Sequence, residues 1–148
     1  MNPLPEEALV PPRARTVLVF AELTAAVRAR LTGRGAALVD AESLLGAVAL
    51  LADRDFDAAI LDMELSSALV QRLKSGSGVI DDVPDELCAK ARERHRLTPF
   101  FLTMGAGFAI VVDPPEHSYL EGGKGLSLAD AVMTLDVSKL VMRGAALA

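Results

Sequence analysis

Apolar positions along this chain follow two rhythms. Thr16-Val17-Leu18-Val19-Phe20 and Ala58-Ala59-Ile60-Leu61 are short unbroken runs, without the three-to-four spacing of a helix edge, and suit strands covered on both faces. Between them the rhythm lengthens. Leu23, Val27 and Leu31 recur every four residues with Arg28, Arg30 and Arg34 interleaved, and Gly33 and Gly35 end the pattern, which predicts an amphipathic helix. Ala36 to Val39 reads as a second strand. Leu44, Leu45, Val48, Leu51 and Ala52 then form a second helical stripe from Glu42 to Arg54. Strand, helix, strand, helix, strand at this spacing predicts an α/β fold with a parallel sheet and right-handed crossovers.

The alternation is interrupted after Asp62. Leu65, Leu69, Val70 and Leu73 continue as a helix, Ser75-Gly76-Ser77-Gly78 breaks it, and a second helical segment follows Asp81-Asp82 with Pro84 in its first turn. Residues 66–83 therefore read as an insertion. The acids Asp85 and Glu86 at the start of that segment and Arg92, Arg94 and Arg96 at its end suit the dipole of a surface helix. Phe100 to Thr103 is a fourth strand. Phe108 to Val112 fits strand or helix, and Pro114-Pro115 ends it. Ser118 to Leu120 is expected as the fifth strand, Gly122-Gly123-Lys124-Gly125 as a turn, and Leu126 onward as a last helix. Val137, Leu140 and Val141 form a separate stripe on that helix, suited to core packing or to a neighbouring copy.

Four prolines among residues 1–15 and no periodic apolar pattern predict an extended leader, with one domain over 16–148. The core must be aliphatic, because Trp is absent and Tyr119 is the only tyrosine. A net charge of −5 with scattered cations disfavours nucleic acid. Cys88 stands alone, so it forms no intrachain disulfide, and a reducing, cytoplasmic setting is expected. The longest nearly apolar run, Phe100 to Val112, is 13 residues, short of the roughly 20 needed to span a bilayer. His95 and His117 lack partner spacing and read as surface residues.

Chemistry concentrates at strand ends. Glu22 follows the first strand, Asp62 ends the third, Thr103 ends the fourth, and Lys124 follows the expected fifth. Ligands of open α/β sheets bind beyond the carboxyl ends of strands. Two acids can hold Mg²⁺, and a lysine can neutralise a phosphoryl oxygen. The set suits phosphoryl transfer to Asp62 as nucleophile. Each residue also has a plainer role: Asp62 as a helix cap, Glu22 as an acid favouring a helix amino terminus, Thr103 as a strand end and Lys124 as a solvated loop residue. The Gly122-to-Gly125 turn is not a P-loop, since Ser118 stands where its first Gly belongs.

Over roughly residues 16–135 this pattern resembles the receiver domain of two-component response regulators. The resemblance rests on Ala21-Glu22, Ile60-Leu61-Asp62, Phe101-Leu102-Thr103 and Lys124-Gly125-Leu126-Ser127-Leu128. It implies a three-layer flavodoxin-like fold with a five-stranded parallel sheet in the order 2-1-3-4-5. Asp62 would accept a phosphoryl group from a histidine kinase or phosphotransfer protein. Thr103 and Lys124 would assist, and Mg²⁺ would be held by Glu22, Asp62 and the backbone carbonyl of Glu64. Thr103 and Tyr119 would form the switch, acting on a downstream protein, with a homodimer through the last strand and helix as a further option.

The sequence also departs from the family. Ala21 replaces the first acid of the pair, weakening Mg²⁺ binding, and the usual Pro is missing from Met63-Glu64-Leu65-Ser66. Two added residues separate Tyr119 from Lys124, and Met104 stands where a small residue is usual. A nearly equal expectation is a pseudo-receiver, the same fold serving as an interaction or dimerisation module without phosphotransfer. A small flavodoxin-like enzyme or nucleotide binder is weaker, because no glycine motif follows the first strand.

Overall fold

A computed structural model describes residues 15–104, 107–111, 119–121 and 127–134, with only the backbone described at 119–121. In chain order the elements are β1 Thr16–Phe20, α1 Ala25–Gly33, β2 Ala37–Asp40, α2 Leu44–Asp53, β3 Ala58–Asp62, α3 Met63–Val70, a π turn Gln71–Ser75, α4 Asp85–Arg94, β4 Phe100–Met104, β5 Gly107–Val111, β6 Tyr119–Glu121 and α5 Leu128–Thr134. The expected leader and the Val137–Val141 stripe lie outside the described residues, as does Lys124.

The strands form one sheet in the order β2-β1-β3-β4-β5-β6. Pairing is parallel from β2 through β4, then antiparallel at β4–β5 and β5–β6. The expectation of a five-stranded, all-parallel sheet in the order 2-1-3-4-5 is corrected on this point. Two residues separate β4 from β5, whereas a parallel crossover needs a dozen or more. The chain after Met104 can only fold back. The apolar run at Phe108 is thereby a strand, and the segment expected as the fifth strand becomes the sixth.

Period-two alternation divides the strands between two cores. Leu18, Ala59, Leu61, Phe100, Leu102 and Val111 join buried residues of α2, α3 and α4 on one face. Val17, Val19, Ala58, Ile60, Phe101, Phe108 and Ile110 join Leu31 of α1 and Ala129, Ala131 and Val132 of α5 on the other. The result is three layers with a mixed sheet in the middle. β3 is buried on both faces as far as Leu61, so its apolar run has no polar break until Asp62. No helix among the described residues is long and apolar enough to cross a membrane.

Helix starts follow local chemistry. Thr24 Oγ1 accepts from Val27 N at 3.2 Å and Ser43 Oγ from Gly46 N at 3.0 Å, each a side-chain cap that satisfies one orphan donor. The segment expected as an insertion at 66–83 holds the rest of α3, the π turn and a loop to α4. α4 packs against α2 and the π turn, burying Cys88 and Ala91.

At the amino-terminal edge of β3 and β4 lies a buried polar cluster. Lys74 is 1% exposed. Its Nζ donates to the carbonyls of His95 (2.8 Å), Arg96 (3.0 Å) and Thr98 (2.6 Å) and lies 4.3 Å from the centroid of the Phe100 ring. These carbonyls follow the carboxyl end of α4, where a cation is favoured, and three donors meet three acceptors. His95 is 2% exposed, which corrects the expectation of a surface histidine. Its Nε2 lies 2.9 Å from the Arg54 carbonyl and its Nδ1 2.9 Å from Thr98 Oγ1. A carbonyl only accepts, so Nε2 carries the proton and Nδ1 accepts from the Thr98 hydroxyl. Burial lowers the His95 pKa.

Candidate functional site

The candidate site forms where β1, β3 and β4 end. Parallel register places Phe20 beside Leu61 and Asp62 beside Thr103, so Asp62 and Thr103 share one face of the sheet. Glu22 lies two residues beyond the end of β1. Together Glu22, Asp62, Met63, Glu64, Thr103 and Met104 line a depression of about 460 Å³. The structure thus gathers four of the residues singled out from sequence, Glu22, Asp62, Glu64 and Thr103.

Asp62 is the turning point. It is the last residue of β3, and α3 begins at Met63 with no intervening loop. Its Oδ1 accepts from Leu65 N at 2.9 Å, making Asp62 the N-cap of α3. A carboxylate is well placed there, since it satisfies a free N–H and meets the positive end of the helix dipole. Thr103 Oγ1 points back to the Leu61 carbonyl at 3.4 Å, a long contact that serves the strand end.

The expected metal set does not fit this geometry. Glu64 lies inside α3, and helical carbonyls point toward the carboxyl end to accept intrahelical bonds, so its oxygen is turned from Asp62. Asp62 already commits one oxygen to Leu65 N, and the helix amino terminus opposes a cation. Among the described residues no group of three His, Cys, Asp or Glu side chains is placed to hold a metal ion.

The expected switch pair is separated. Tyr119 pairs with Ile110 across β5–β6, and Phe108 of β5 stands opposite Thr103. β6 lies two strands from β4 where an order ending 3-4-5 has one. At about 4.8 Å per strand that is about 10 Å, against about 5 Å. Lys124 lies outside the described residues. Of the described residues lining the depression, three are acids and none is a cation.

Apolar side chains flank the acids. Met63 and Leu65 in the first turn of α3 are exposed, at 41% and 61%, and Leu45 in the first turn of α2 is 45% exposed. Both helices start at the carboxyl edge of the sheet and pack side by side on the same face. Both Leu45 and Leu65 fall on the helical rhythm of their elements. Their exposure follows from the rotation of each helix against the sheet, which the rhythm does not contain.

Comparison with family models, with curated proteins and with solved structures gives no match to this chain.

Proposed function

We propose that this chain is a receiver-like α/β module that works by protein–protein contact at the carboxyl edge of its sheet, with Asp62 as a helix cap and not as a phosphoryl acceptor. The observation that carries the reading is the bond from Leu65 N to Asp62 Oδ1, with α3 starting at the next residue. That start removes the loop that would frame a phosphoryl group, and among the described residues the acidic lining supplies no cation to neutralise one. Leu45, Met63 and Leu65 give the same edge an apolar rim, and exposed apolar groups gathered at one edge suit a protein partner.

A second reading retains phosphotransfer from a histidine kinase or phosphotransfer protein to Asp62. It is favoured by the register of Asp62 beside Thr103, with Glu22 on the same depression. One experiment separates the two. The protein is incubated with Mg²⁺ and acetyl phosphate, and its intact mass is followed. The proposal expects no adduct. A single base-labile phosphoryl group that Asp62→Ala abolishes would overturn it in favour of the second reading.

A further inference from the structure

The loop that joins the π turn to α4 carries two arginines drawn to one glycine. Gly76 ends the π turn with φ 73°, a conformation glycine adopts without strain. Arg72 Nη1 donates to the Gly76 carbonyl at 3.4 Å, and its Nη2 meets Asp85 at 3.5 Å. From α4, Arg92 approaches the same residue. A β-carbon added to Gly76 would stand 3.4 Å from Cζ, Nε and Nη2 of Arg92, so the missing side chain is what admits the guanidinium.

The charges here are poorly compensated. Both Arg72 contacts sit at the long limit of a hydrogen bond, and Asp85 is 84% exposed, where an ion pair contributes little. Arg92 makes no hydrogen bond or ion pair among the described residues, and its Nε is buried without an acceptor. Leaving such a donor unpaired is costly. Serving the carboxyl end of a helix is the ordinary task of arginines so placed. Arg72 performs it weakly and Arg92 does not perform it at all.

We infer that Arg72 and Arg92, converging on the Gly76 turn whose Gly76 and Ser77 amides already donate to the Gln71 carbonyl, form a site for a phosphate-type oxyanion, free or as a monoester. Two guanidinium forks approach from different elements, and a tetrahedral phosphate offers oxygens to both, whereas a planar carboxylate matches one fork. The carbonyl end of the preceding helix opposes an anion with about half a charge; two whole charges outweigh it. The site lies on the π turn and α4, apart from the Asp62 depression.

The test uses the full chain at constant ionic strength, following the Gly76 and Ser77 amides and the Arg92 Nε–H by NMR. Inorganic phosphate and phosphoserine are titrated separately against chloride. Saturable shifts with phosphate are expected, weakened about tenfold or more in Arg92→Gln and in Arg72→Gln. Saturation with both probes supports a site open to esterified phosphate, and saturation with phosphate alone supports an enclosed ion site. Equal responses to phosphate and chloride, or binding unchanged in both variants, would overturn the inference.

Discussion

Asp62 shows how one residue's role turns on its neighbours. An acid ending a buried strand suits catalysis and capping equally, and the Leu65 amide selects capping. Asp62→Ala is expected to cost about 1 kcal/mol of unfolding free energy in urea, and Asp62→Asn only a few tenths, because Asn caps as well as Asp. Equal losses in the two variants would count against the cap. His95 carries a second consequence. Its folded pKa lies below 6.5, so the unfolded chain binds the extra proton more readily. The His95 contribution is fully present above about pH 6.5 and is lost as pH falls from there toward the folded pKa, by at most about 1.4 kcal/mol per pH unit. Urea midpoints measured between pH 7.5 and 5 should therefore decline, and His95→Gln should flatten that decline. A slope that His95→Gln leaves unchanged would place the titration elsewhere.

Elements were readable to different degrees, for definable reasons. β1, β3 and the first two helices were legible because each buries one consistent pattern: Val17, Leu18 and Val19 are buried together, as are Ala47, Val48, Leu51 and Ala52 along α2. The direction of β5 was not. Five residues from Gly107 to Val111 carry an apolar pattern that parallel and antiparallel pairing share, and the two-residue connection after Met104 decides between them. The start of α3 was equally ambiguous, since Met63-Glu64-Leu65-Ser66 has no strong local signal for helix over loop. The consequences differ in weight. A reversed strand moves β6 and Tyr119 one place further from β3, while an early helix converts Asp62 from a free acid to a cap.

For the whole molecule, the sheet sits between two cores and its strands differ in cover. β1 and β3 are buried almost throughout, while β2 is an edge strand with both ends exposed. Amide hydrogen exchange should follow this gradient, with β1, β3 and β4 protected longest and β2 fastest among the described parallel strands. Slower exchange in β2 than in β3 would point to a partner covering that edge. The Lys74 cluster ties the π turn to the end of α4 and to the segment that leads into β4 through three carbonyls. It connects segments 21 to 24 residues apart in sequence and no side-chain pattern announces it, because all three acceptors are backbone.

By itself the sequence determined the α/β class, the three leading parallel strands covered on both faces and the strand-end positions of Glu22, Asp62 and Thr103. Periodicity and burial are local, and each run of residues carries its own. Tertiary structure decided what depends on pairs distant in the chain: the antiparallel β4–β5–β6 return, the burial of His95 and Lys74, and the meeting of Arg72 and Arg92 at Gly76. A residue's chemistry is set by the groups around it, and those arrive only when the chain has folded.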